Sequence, residues 1–207
     1  KKAKQMKRDI EYMLTNNVVK AVGDSTEARK SAGISTWLNT GYLSNNSTSG
    51  SPTAGSLGTT APVDASATAS ITEANMRTVI KQVYEAGGDP DVILCKPAIK
   101  QAISDLAQSV SSLRTDTKGD APAHVIAAVD VYVSDFGTFK IVSDRNQFRE
   151  KDVFFIDFDY WSVAYLRPFK TEALAKSGDS VRQMLVVEYG LESKNQASSG
   201  FLADCKA

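Results

Sequence analysis

Asp157-Phe158-Asp159 places two carboxylates two positions apart, and on a strand both would aim to one side, where they could hold a divalent cation. Such a site needs further oxygen ligands, and none can be nominated. The pair lies between apolar stretches and before Tyr160-Trp161, where an aspartate that hydrogen-bonds its own backbone in a turn is the simpler reading. A small-molecule-binding or metal-dependent enzyme domain using Asp157 and Asp159 is the alternative this pair keeps open. The single histidine, His124, would have to carry any Ser-His-Asp or Cys-His mechanism, and no nucleophile motif accompanies it. It reads as a loop or strand-start histidine with ordinary packing.

Gly50 and Gly55 have the spacing of the glycines of a phosphate-binding loop, but Ser56-Leu57 stand where lysine and Ser/Thr are required, so the motif fails. Cys95 and Cys205 are far apart and neither belongs to a Cys-x-x-Cys pair, which argues against a zinc site or a disulfide framework and fits a reducing compartment. Lys1, Lys2, Lys4, Lys7 and Arg8 could touch phosphate through charge alone. A solvated helix face, with Lys7 and Glu11 as an i,i+4 pair, is the plainer account. Trp37, Tyr160 and Trp161 suit core or interface packing before ligand stacking. Asn45-Asn46-Ser47-Thr48 contains glycosylation-like triplets without a signal peptide to give them meaning. No catalytic, cofactor-binding or metal-ligating residue is assigned, and no cofactor is expected.

The elements around these residues follow from periodicity. Ala3, Met6, Ile10, Met13 and Leu14 predict an amphipathic helix. The helical pattern is already running at Lys1, which is not a methionine, so we expect the natural N-terminus to be missing. Residues 44–70 are almost entirely Ser, Thr, Ala, Gly, Asn and Pro with one charge, Asp64, and read as a surface excursion, linker or contact arm. Ser70 as cap and Glu73 reaching back predict a helix start, with Met76, Val79, Ile80, Val83 and Tyr84 on one face and Gly87-Gly88 as the stop. A buried strand Val92–Cys95 follows, then a helix opened by Pro97 with Ile99, Ala102, Ile103, Leu106, Val110 and Leu113 on its apolar face, and an exposed loop Asp116–Pro122.

Beyond that loop the period changes to two. Val129–Val133 and Phe139–Val142 make a hairpin, and Val153–Ile156, Ser162–Leu166 and Met184–Leu191 supply three more strands. Helices early and strands late predict an α+β fold with helices on a largely antiparallel sheet. Lysine plus arginine and aspartate plus glutamate each total 24, so no global field draws a polyanion or a membrane surface. No apolar run reaches the roughly 20 residues that span a bilayer.

Several long strings in this strand-rich end are similar to a phage head-protein family: Val129-Asp130-Val131-Tyr132-Val133-Ser134-Asp135-Phe136-Gly137, then Lys140-Ile141-Val142 and Asp144-Arg145. Tyr160 to Phe169, Leu174-Ala175-Lys176-Ser177-Gly178-Asp179 and Glu188-Tyr189-Gly190-Leu191-Glu192-Ser193 continue the likeness, as does Glu85-Ala86-Gly87-Gly88 upstream. The chain thus resembles the tailed-bacteriophage major capsid proteins. That resemblance covers most of the chain and fades across the Ser/Thr-rich segment. It implies the Johnson capsid fold, with an axial domain beside a peripheral domain that carries a spine helix. On this sequence 1–48 and 151–207 would be peripheral, 49–72 a flexible loop and 73–150 axial. It further implies a structural subunit that assembles with itself into hexamers, pentamers and an icosahedral head shell in the host bacterial cytoplasm. Scaffold, portal or decoration proteins would be further partners, packaged DNA would be met by non-specific contact, and no membrane is involved. The N-terminal arm and extended loop of such subunits would precede the spine helix and are not in this sequence, so a truncated core is expected.

Overall fold

The computed structural model describes residues 2–45, 52–110, 129–176 and 178–206, and for 107–110 the backbone alone. His124, Gly50, the Asn46–Thr48 triplets, Leu113 and the loop expected at 116–122 lie outside the described residues, as does the side chain of Val110.

Two four-residue strands with no solvent face organise the molecule. Val153–Ile156 (β6) and Gly200–Ala203 (β9) are buried at every position, as expected of an apolar run roofed on both sides. They pair antiparallel in a sheet that also contains Gly41–Ser44 (β1), Val92–Cys95 (β3), Val131–Ser134 (β4) and Gly137–Ser143 (β5). The order is β1-β9-β6-β3-β5-β4. Three of the sheet's five pairs, β9–β6, β6–β3 and β5–β4, are antiparallel as expected, while β1–β9 and β3–β5 are parallel, so the sheet is mixed.

Alternation along these strands sorts side chains to two cores. Ile93, Cys95, Phe139, Ile141, Val153, Phe155 and Leu202 face one side, where they meet Met76, Val79, Ile80 and Val83 of the helix Glu73–Glu85 (α3). Ile99 and Ile103 of the helix Pro97–Val110 (α4) complete that side. Phe154, Ile156, Phe201 and Ala203 face the other, against Ile34 and Leu38 around the short helix Ile34–Trp37 (α2). Phe139, Phe154, Phe155 and Phe201 are each fully buried, a contribution of about 2–3 kcal/mol apiece. The cap of α3 is Thr72, whose side chain accepts from Asn75 N, in place of the expected Ser70.

Ala69–Ser70 (β2) pairs with Cys205–Lys206 (β10). The Ser/Thr-rich segment from residue 52 on, where only Gly55, Gly58 and Pro62 are buried, runs over the surface held by backbone hydrogen bonds rather than as the flexible loop expected there. Gly58 N donates to Thr36 O and Lys20 N to Gly58 O, at 2.9 and 2.8 Å. A Cβ at Gly55 would stand 2.5 Å from Ser35 O. Poverty in apolar side chains was the reason to expect a loose loop; here glycine lets backbone lie against backbone, with hydrogen bonds in place of side-chain burial.

The helix Lys2–Leu14 (α1) runs as expected, with Ile10 buried and Met6 and Leu14 half-buried, although Met13 and Ala3 are exposed. Trp161–Ala173 (β7) and Gln183–Ser193 (β8) form a separate two-stranded antiparallel ribbon, longer than the strands expected at 162–166 and 184–191. A division after residue 150 would pass through the six-stranded sheet, since β1, β6 and β9 join β3, β5 and β4 in it.

The crossing of β1 and β9 leaves no room for a side chain. A Cβ at Gly41 would lie 2.6 Å from Gly200 Cα and 2.7 Å from Val83 Cγ2. Gly41→Ala is expected to cost about 1–3 kcal/mol through forced displacement of the parallel pair. Its urea midpoint against wild type is the measurement, and an unchanged midpoint would show that the strands part freely.

Candidate functional site

The structure scatters the residues that sequence chemistry singled out. Asp157 caps the 3₁₀ turn Phe158–Tyr160, its Oδ1 accepting from Asp159 N at 3.1 Å, which is the backbone-bonded turn expected of the pair. Burial raises the Asp157 pKa, and the carboxylates of Asp159, Asp91 and Asp89 add to that shift. Among the described residues no group of three or more His, Cys, Asp or Glu side chains is arranged to hold a metal ion. Trp161 Nε1 donates to Ser199 Oγ at 2.9 Å, and Trp37 lies beneath Lys20 Nζ, 5.9 Å from its ring centre, so both indoles serve packing. Gly55 is taken up by its contact with Ser35 and Thr36. Lys7 and Glu11 do not pair: Lys7 Nζ lies over the Phe169 ring and Glu11 Oε2 accepts from Asn146 Nδ2 at 2.7 Å.

What the fold builds is surface for contact. The β7–β8 ribbon is joined to the body at its base, where Leu191 N donates to Ser31 Oγ at 2.9 Å and Lys194 N to Tyr160 O at 2.9 Å. Beyond that base Tyr165, Leu166, Leu174, Val181 and Met184 are exposed, Leu166 to 75%. Two strands alone are marginally stable in water, so such a ribbon needs something laid against it. The Arg167–Glu188 ion pair across the ribbon is itself exposed, so solvent screens it and it adds little to hold the ribbon. Between ribbon, α1 and sheet runs a groove of about 850 Å³ lined by Ile10, Leu14, Val163, Tyr165, Phe169 and Leu191. Its walls are mostly apolar, with Lys7, Glu11 and Asp144 as the charged residues among them.

The Ser/Thr-rich segment is tied down by a buried charge network that sequence reasoning missed. Asp152, 1% exposed, and Asp64 both pair with Arg149, whose Nε reaches Asp152 and whose Nη2 reaches Asp64. Asp204 Oδ2 accepts from Ser44 Oγ at 2.5 Å and its Oδ1 from Ala65 N at 3.0 Å. No local spacing joins positions 64, 149, 152 and 204; only the pairing of β1, β6 and β9 does.

A family model described as SU10 major capsid protein matches residues 1–206. The chain belongs to the SU10 major capsid protein family. It is also similar to the major capsid protein of Escherichia phage Phieco32, 26% identical over 130 residues that make up 63% of this chain and 37% of that protein. Its fold is that of the encapsulin in the holo-SrpI complex of Synechococcus elongatus PCC 7942, with a TM-score of 0.58 at 10% identity, covering 99% of this chain and 63% of the encapsulin. The chain therefore spans little more than a third of the phage relative and under two thirds of the encapsulin. The α+β architecture is the Johnson capsid fold expected from the C-terminal strings.

The Arg149 network has a pH signature. Burial, outweighing Arg149, pushes the Asp152 carboxyl up to about 6 from the ordinary 3.8. A folded pKa above the unfolded one means that this stabilising proton uptake is complete below about pH 4 and is lost as pH rises through about 6. Asp152→Asn removes the titration, so wild type should lose about 2 kcal/mol relative to D152N between pH 4 and 7. Urea unfolding of both proteins across that range reads it, and a pH-independent difference would mean that Asp152 titrates as an exposed carboxylate.

Proposed function

We propose that the chain is the body of a structural subunit that assembles with copies of itself into the head shell enclosing phage DNA. The family match along residues 1–206 carries this reading. The capsid fold shared with an encapsulin supports it, as does a ribbon whose apolar residues have no cover among the described residues. In this proposal the axial part comprises the six-stranded sheet with α3 and α4, and so takes in β1, β6 and β9 besides residues 73–150. The peripheral part is α1 with the β7–β8 ribbon, and the segment 52–72 braces the sheet's end. Neighbouring subunits cover the ribbon. Scaffold, portal or decoration proteins would act on the assembled shell, in the host bacterial cytoplasm and then in the virion.

Electron microscopy of the full-length protein, with scaffold supplied, tests the assembly. Hexamers, pentamers or shells are expected, and their absence under every assembly condition would overturn the proposal. Leu166→Asp gives a sharper form of the test. An exposed substitution should change monomer stability by no more than about 0.5 kcal/mol, while placing a charge on a covered ribbon should abolish shells. Normal shells from L166D would remove the ribbon from the interface.

A further inference from the structure

A second concavity, of about 670 Å³, opens beside α1 and is polar where the first groove is apolar. Three elements bring cations to it: Arg8 from α1, Lys96 from the β3–α4 junction, and Arg145 from the loop between β5 and β6. Arg8 and Arg145 form no ion pair with any described residue, and Lys4 continues their charge one turn along the same stripe of α1. The Lys96 side chain is only 18% exposed, yet its nearest counter-charge is the exposed Glu150 carboxylate at 3.6 Å. That ammonium is already satisfied by Glu150 and by the Arg145 carbonyl, so the free positive charge in the cleft is that of Arg8 and Arg145. Asp9 and Glu150 are the carboxylates in the lining, leaving the cations in excess.

The cleft is also held in shape. Thr15 Oγ1 accepts from Phe148 N at 2.8 Å, Asn146 donates to Glu11, and Lys96 Nζ donates to Arg145 O at 3.0 Å. The loop is thereby fastened to α1 on one side and to β3–α4 on the other. At its rim Tyr12 meets Phe148 edge to face, ring centres 4.9 Å apart, and Tyr12 remains 45% exposed. Gln147, in the wall, is buried and its Nε2 donates to Arg149 O at 2.6 Å and Asp152 O at 2.8 Å, which braces the loop from within. The aromatic platform that is missing from the basic run of α1 in sequence is supplied by Phe148, more than a hundred positions away.

We propose that the cleft formed by Arg8, Lys96 and Arg145, with the Tyr12–Phe148 pair at its rim, is a binding site for the phosphate backbone of nucleic acid. Three cations take successive phosphates and the aromatic pair offers a face to an adjacent sugar or base. The proposal goes beyond the shell reading and does not require it, since the site is complete within one chain.

Fluorescence anisotropy of the soluble full chain with a labelled duplex, and with a single strand of equal length, tests it. Binding is expected to weaken with salt, with a log–log slope near −3 for duplex and near −2 for single strand if three phosphates are neutralised. Arg8→Glu with Arg145→Glu should lower affinity by at least about tenfold and flatten the slope. Both residues are exposed, and the neutral pair Arg8→Gln with Arg145→Gln, which should show a smaller loss in the same direction, guards against a folding artefact. Lys170→Glu with Lys176→Glu, an equal charge change on the ribbon, should leave binding unchanged. No binding at low salt, or equal losses from the ribbon variant, would overturn the site. So would a cleft variant that keeps nucleic-acid binding but loses self-association in sedimentation, because the cleft would then face the acidic surface of a second copy.

Discussion

Burial of β6 and β9 on both faces is the constraint from which the rest of the structure follows. A strand with one wet face needs a single covering layer; Phe154, Phe155, Phe201 and Leu202 point to opposite sides and each needs a roof. On one side α3 and α4 provide it with helical stripes. On the other, among the described residues, no long helix lies across the sheet, and the cover is assembled from α2, Tyr42, Trp161 and Leu191. This patchwork is why α1 and the root of the ribbon come to lie beside the sheet, and why an apolar groove remains between them. The tight crossing at Gly41 and Gly200 belongs to the same requirement, since Val83 can reach the sheet only where no side chain stands between.

The end of this sheet carries the second constraint. Asp152 follows from the chain turning into β6 and Asp204 from its leaving β9, so carboxylates gather where the two central strands meet their loops. Arg149 joins Asp152 to Asp64 and so fastens a segment with little apolar surface to the part of the molecule with the most. Replacing such a group of charges by apolar residues is often neutral or stabilising, so its value here lies in position rather than in net energy. It fixes where residues 52–72 lie. Asp204 holds its turn in a left-handed conformation, φ 61°, and hydrogen-bonds both Ser44 and Ala65 from there.

Elements with internal periodicity were legible from the chain alone: α1, α3 and α4 from stripes, the β4–β5 hairpin from alternation, β6 from its apolar run. The backbone-bonded turn at Asp157 was legible too, because an Asx turn is decided within three residues. What was not legible depends on partners distant in sequence. Phe201-Leu202 is too short to show a period, and its neighbours are residues 41–44 and 153–156. The cap moved from Ser70 to Thr72 because Ala69–Ser70 is drawn into pairing with β10. Composition misled in one place. A Ser/Thr/Gly segment cannot build a core, but it can lie against one, and Gly55 and Gly58 do so through backbone contact.

Function was legible only through likeness, and there is a physical reason for that. An enzyme concentrates its function in a few polar groups whose types and spacing can be read in a line. A shell subunit spreads its function over surfaces, so that its distinguishing feature is apolar area left uncovered in an otherwise well-packed chain. The ribbon fits that description: its strands satisfy one another's hydrogen bonds, yet Leu166 and Val181 are left in water while far smaller apolar groups inside the sheet are covered. Within one chain this arrangement is a loss. In the assembly proposed above, the same uncovered area is what a neighbouring copy would bury, so the loss within one chain would be recovered between chains.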